Sequence, residues 1–146
     1  MKLSKWENHD MTNKKIILDT NLWISFLISK KFNQIDKLIE NKEITIIFSD
    51  ELIEEFINVV SRPKFKKYFS KKDIEKVLEY FDQFGELINV KSNIQICRDE
   101  KDNFLLNLSV DSGSDYLISG DKDLLVLEKI EETKIMTFAD FIEDIG

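Results

Sequence analysis

A single cysteine, Cys97, excludes an internal disulfide and agrees with a reducing compartment. The lone histidine, His9, lies in a polar stretch without periodicity, so the chain lacks the imidazole and thiolate sets that hold zinc. Proline occurs once, at Pro63, and glycine four times, and no linker, repeat or low-complexity tract interrupts the sequence. No apolar run approaches the roughly 20 residues of a membrane-spanning helix, and the first residues carry no signal-peptide core. The expected address is therefore cytoplasmic, with no membrane partner. Positive charge is also scarce. Lysine and arginine total 21 against 28 aspartates and glutamates, a formal net charge of -7. Phosphate contacts supply most of the affinity of a nucleic-acid binder, so this balance disfavours tight, metal-free DNA binding.

What remains is a chain of 146 residues, 42% hydrophobic, enough for one globular domain with its own core. Residues 1–13 are polar and read as a flexible arm; residues 14–146 carry the domain. Within it, three short apolar runs each lead into acid. Ile16-Ile17-Leu18 meets Asp19. Ile44 to Phe48 meets Ser49-Asp50 and then a helical stretch with Glu54 and Glu55. Tyr116-Leu117-Ile118 meets Ser119-Gly120-Asp121-Lys122-Asp123. Such runs bounded by turn residues read as buried parallel strands, and the crevice of an open α/β sheet lies beyond the carboxyl ends of its strands. Acids gathered there repel one another, and a divalent cation is the economical remedy.

Helices alternate with these strands. Leu22, Trp23, Phe26 and Leu27 have helical spacing, as do Phe32, Ile35, Leu38 and Ile39. Ser49 and Ser70 are N-caps of two further helices, the second stopping near Gly85. A strand over residues 86–90, a helix over 102–110, a strand over 115–119, a short helix over 124–127, a strand over 134–136 and a helix capped by Thr137 complete the pattern. The alternation predicts an α/β fold of three layers, α/β/α and Rossmann-like, around a central parallel sheet of four or five strands.

Four segments in this order, IILDTN, SDELIEEFINVVSRPKF, RDEKDNFLLNLS and DYLISGDKDLL, resemble the PIN-domain ribonucleases, in particular the VapC-like toxins of toxin–antitoxin pairs. The resemblance covers about residues 14–143. It implies a metal-dependent endoribonuclease with Asp19, Glu55, Asp102 and Asp121 as its acidic site and Asp123 beside them, either a further ligand or a neighbour. Glu55 is preferred over Glu54 because it shares the inward side of its helix with Leu52, Ile53 and Val59. For the third acid the choice lies between Asp99 and Asp102; Asp102 opens the helix, whereas Asp99 can cap the loop. Hard oxygen ligands select Mg²⁺ or Mn²⁺. Asn21 and Ser119 are placed to orient carboxylates or water. The resemblance further implies an RNA substrate, a cognate antitoxin and a homodimer.

The stretch RPKFKKYFSKK holds six basic residues and no acid. Arg62, Lys64, Lys66 and Lys67 are candidates to track an RNA backbone, with Phe65, Tyr68 or Phe69 stacking on a base. The structural alternative places the aromatics in the core and leaves the lysines solvated; antitoxin contact is a third use. Each acid also has an ordinary reading, as a helix cap, a solvated helix residue or a turn residue. A dehalogenase-type phosphatase needs an aspartate where Asn21 stands, and a receiver domain needs a different order of acids. A non-catalytic module that binds RNA or protein is the remaining rival.

Overall fold

Ile16, Ile17 and Leu18 are wholly buried in the computed structural model, which describes residues 13–29 and 32–145. They belong to β1 (Lys14–Leu18), flanked on both edges by parallel strands, β2 (Ile44–Phe48) and β4 (Tyr116–Ile118). In β4 alternate side chains face opposite ways, yet Tyr116, Leu117 and Ile118 are all buried, so both faces of the sheet are covered. The remaining strands are β3 (Gly85–Leu87), β5 (Lys129–Ile130) and β6 (Thr133–Met136), in the order β3-β2-β1-β4-β6-β5. The sheet thus has six strands where four or five were expected. The extra one is β5, which runs antiparallel to β6; the other pairings are parallel. This hairpin lacks the Asn-Gly or Asp-Gly signature, and Glu131 instead occupies the left-handed region at φ 48°.

The helices are α1 (Thr20–Ser29), α2 (Phe32–Glu40), α3 (Asp50–Val60), α4 (Lys71–Phe84), α5 (Asn103–Ser112), α6 (Lys122–Leu125) and α7 (Phe138–Ile145). The cap residues act as their chemistry requires. Ser49 accepts from the Leu52 amide at 3.2 Å, Ser70 forms a reciprocal capping box with Asp73, and Thr137 accepts from Asp140 at 3.2 Å. Trp23 anchors the core, its ring 4.8 Å from Phe81 and 6.3 Å from Phe48. Phe48 lies so close over Gly85 that a Cβ there would stand 1.8 Å from the ring, so β3 begins at glycine.

Several boundaries move, among them the short helix expected over residues 124–127, which is Lys122–Leu125. The expected strand over residues 86–90 is Gly85–Leu87, because the backbone beyond Ile88 turns to side chains of α5 for its partners. The helix expected from Asp102 starts at Asn103, behind a 3₁₀ turn over Glu100–Asp102. Asn13, the last residue of the expected arm, binds the Lys42 carbonyl and the Thr45 hydroxyl. Residues 1–12, including His9, lie outside the described residues.

Candidate metal centre

After β1 the chain crosses towards β2 and β3; after β4 it continues towards β6 on the other side. The crevice between β1 and β4 is therefore the switch point of the sheet, where open α/β sheets place ligands. Register pairs Leu18 with Ile118 and sets Asp19 beside Ser119. The Ser119 hydroxyl donates to Asp19 Oδ2, the Leu22 amide donates to Oδ1 at 2.8 Å, and Ser119 Oγ accepts from the Asp121 amide at 3.0 Å. Asp19 is buried, 8% exposed. Burial pushes its carboxyl above the usual range, the Ser119 and Leu22 hydrogen bonds pull it back, and the Asp121 charge raises it.

Asp99, Asp102 and Asp121 each present a carboxylate oxygen within 4.8 Å of the others. At an effective dielectric near 20, two unit charges at that separation repel by roughly 3 kcal/mol. The Asp102 carboxyl shows the strain. Burial, then its contact with Asp121, and then the charges of Asp121, Asp99 and Asp19 push it up to about 7. Its Oδ2 is buried without a hydrogen-bond partner among the described residues. Asp121 also caps α6, its Oδ1 accepting from the Asp123 amide at 2.9 Å.

Asp99 reaches the cluster because α5 holds the preceding segment. Asn103, Asn107 and Asp111 stand four residues apart, on one face of the helix. Asn103 Oδ1 accepts from the Cys97 amide at 2.8 Å and Asn107 Oδ1 from Ile94 at 2.5 Å. Asp111 Oδ2 accepts from the Lys91 and Ser92 amides at 2.5 and 2.8 Å, and Oδ1 from the Ser92 hydroxyl. Three side chains thus take the backbone donors of a strandless segment running antiparallel to the helix. The N-x3-N-x3-D spacing was the signal for this ladder, but such spacing is common on solvated helix faces. Asp111→Ala should speed hydrogen exchange at Lys91 and Ser92 at least tenfold while lowering global stability by only about 1 kcal/mol. Exchange read by NMR checks it.

On the opposite wall α3 brings Glu55, half-buried, while Glu54 is exposed. Burial raises the Glu55 carboxyl; the Asp19 charge adds to this and Arg62 opposes it. The Thr20 hydroxyl lies close to Glu55 without hydrogen-bond geometry. The resulting cleft, about 580 Å³, is bordered by Asn21, Glu55, Arg62, Asp99, Asp102 and Asp121 among others. Asp123 does not line this cleft, and its carboxylate is not among the three that converge; it meets the cluster through its amide on Asp121. In the basic stretch only Arg62 reaches the cleft. Phe69 is buried and Phe65 half-buried, as the structural alternative requires, and Tyr68 is 46% exposed. Lys64, Lys66 and Lys67 are exposed; Lys64 and Lys67 stand 5.1 and 5.0 Å over the Phe65 and Tyr68 rings.

The PIN domain, as a family model, matches residues 15–123, about three quarters of the chain. The chain belongs to the PIN-domain family. It is also 33% identical, over 141 aligned residues, to an uncharacterized protein of Methanocaldococcus jannaschii, covering 89% of this chain and 90% of that one. PIN domains are generally metal-dependent nucleases. The donor set of this PIN domain fits a hard divalent cation: carboxylate oxygens converge and one is buried without a partner. Cys97, buried with its thiol pushed up by burial and by Asp102, Asp121 and Asp123, has no thiolate character to offer.

Proposed function

We propose that this PIN domain is a Mg²⁺- or Mn²⁺-dependent endoribonuclease that hydrolyses RNA phosphodiester bonds. The observation that carries the reading is the convergence of Asp99, Asp102 and Asp121 beside Asp19 at the switch point of the sheet. Asp19, Glu55, Asp102 and Asp121 are the proposed catalytic set, and Asp99 joins them as a ligand on its proximity. Asp123 is proposed as a positioning residue, since its amide orients the Asp121 carboxylate. When bound, the cation supplies positive charge against the growing charge of the phosphodiester and makes water acidic enough to attack at neutral pH.

The chain's own groups do the rest. The Ser119 hydroxyl and Leu22 amide hold Asp19 in one rotamer. Asn21 lies at the cleft mouth, where its amide can orient water or a ribose hydroxyl. Arg62 offers the cationic fork for a phosphate next to the scissile one. Lys64, Lys66 and Lys67 extend that charge along the surface, so the strand is gripped outside the acidic pocket.

Within this class we assign the chain to the toxins of type II toxin–antitoxin pairs, acting in the cytoplasm as a homodimer neutralised by a cognate antitoxin. The order and spacing of its four motifs support that assignment, and a short adjacent gene encoding a DNA-binding protein with an unstructured tail would strengthen it. No helix among the described residues is long and apolar enough to cross a membrane. A solitary gene would redirect the assignment to RNA processing.

The test is calorimetric titration of Mn²⁺ alongside RNA cleavage. Wild type should bind Mn²⁺ and cut RNA only when the metal is present. Asp121→Asn should weaken binding at least ~10-fold, since it removes a proposed ligand and not merely a partner of one. Equal heats for both proteins would remove Asp121 from the site.

A further inference from the structure

A second cavity, about 350 Å³, opens beside the acidic cleft and shares Glu51, Lys101 and Phe104 with it. Its character differs. Asn93, Gln95, Asn103 and Asn107 supply four carboxamides, and half-buried Phe104 stands at the junction of the two cavities. Asn103 and Asn107 are more than nine-tenths buried, at 7% and 8% exposure. Each commits its Oδ1 to the backbone of the neighbouring segment, so the group each has left is an NH₂ donor. Neither NH₂ has a protein partner among the described residues, and neither is sealed away, because both residues line the cavity.

Donors held in place and open to the cavity are hydrated in the free protein, and a ligand that brings acceptors can replace that water without leaving either unsatisfied. Phosphate is a poor candidate. Glu51 and Glu100 border the cavity against the single cation of Lys101. A planar, uncharged ring with carbonyl oxygens fits better, stacking on Phe104 and accepting from the amides.

We propose that this cavity receives the base of the nucleotide flanking the scissile phosphate of single-stranded RNA, and that it favours bases with an exocyclic carbonyl oxygen over adenine. The proposal rests on the RNA-cleaving reading above and names the part of the substrate that reading leaves open. Phe104 supplies the stacking face. Asn103 and Asn107 present donors whose positions are set by the ladder of α5. Asn93 and Gln95, on the exposed segment, are joined by a hydrogen bond from Gln95 Nε2 to Asn93 Oδ1 at 3.3 Å, which leaves the Asn93 NH₂ and the second Gln95 N–H for the ring edge. Double-stranded RNA is excluded, because its bases are paired and stacked out of reach.

The test compares cleavage of octauridylate and octaadenylate by the full chain with Mn²⁺. Wild type should prefer octauridylate in kcat/KM by ~10-fold, the discrimination expected of one or two good base contacts. Gln95→Ala, on the surface, should reduce that preference at least threefold without moving the thermal melt. Asn107→Asp, which keeps the acceptor for the Ile94 amide but removes the donor, should bring it close to one. An unchanged preference in both variants, or no preference in wild type, overturns the subsite while leaving the nuclease reading intact. Should wild type cut neither oligomer, the nuclease reading falls and fluorescence anisotropy of the same labelled oligomers decides. Tighter octauridylate binding that Gln95→Ala removes supports the subsite, and equal binding overturns it.

Discussion

Asp19→Asn should lower RNA cleavage by more than ~100-fold while leaving the thermal melt at or above the wild-type value. The size of the loss follows from the position of the carboxylate. Even residues that only orient a metal ligand cost about 10–100-fold when removed, and Asp19 is proposed as a ligand itself. The melt behaves differently because asparagine retains most of the local bonding. Its Oδ1 can still accept from the Leu22 amide, and its NH₂ can donate to the Ser119 hydroxyl in place of accepting from it. One charge-assisted hydrogen bond is weakened, at a cost of about 1 kcal/mol. Against this, the substitution removes a buried charge that Asp121 repels and that desolvation disfavours. The two contributions nearly cancel. Asp19→Ala lacks both partners and should melt lower, since it also removes a cap worth about 1 kcal/mol. Circular dichroism melts and a fluorogenic RNA substrate measure both properties. Cleavage lost only in proportion to unfolded protein would remove Asp19 from the catalytic set.

Metal-free protein should lose stability as pH rises from about 4 to about 7, and Mn²⁺ should restore it at the upper end. The folded chain holds the Asp102 carboxyl at about 7, against an ordinary value near 3.8. Folded protein therefore binds more protons than unfolded protein across that interval, and stability falls with rising pH. The contribution is complete below the ordinary value and gone above the folded one. Asp19 and Glu55 are raised as well and act in the same direction. Asp102 is only half-buried, and solvent screening reduces its share to roughly 1–2 kcal/mol. For a chain of this size that is about 3–8 °C in the melt. A cation reverses the sign, because ionised carboxylates are what it binds. Millimolar MnCl₂ should raise the melt at pH 8 and do little at pH 5. Asp102→Asn should flatten the metal-free pH profile. A profile that Asp102→Asn leaves unchanged, together with a melt insensitive to Mn²⁺ at pH 8, would mean that the three acids do not share a site.

Both expectations depend on residues distant in the chain. Asp19 and Ser119 are 100 positions apart, yet the parallel register of β1 and β4 makes them hydrogen-bonded neighbours. Direction along the sheet was legible in advance, because each buried strand announces itself by a continuous apolar run and the acid follows at its end. The deeper placement of Glu55 than of Glu54 was legible too, since helical period separates an inward from an outward position, although both side chains border the cleft. The rank of Asp99 was not. Read locally it caps a turn, and it does accept from the Lys101 amide at 3.1 Å. Its second role depends on where Asn103 and Asn107 fasten the segment before it. The uses of the aromatics in the basic stretch were equally hidden, because phenylalanine in a lysine-rich run stacks or packs according to what lies beneath it. Here Phe69 packs.

Sequence by itself determined the α/β alternation, the parallel core strands, the caps at Ser49, Ser70 and Thr137, and the acids that follow the strands. These depend on period, on local hydrogen bonding and on burial of short apolar runs, all of which act within a few residues. Tertiary structure alone decided the six-stranded order with its antiparallel hairpin, the closeness of Asp99, Asp102 and Asp121, and the carboxamide-lined cavity beside them. Those features arise from pairings and charge contacts across large separations in the chain. Their energies depend on distance and burial in the folded state, which no local pattern encodes.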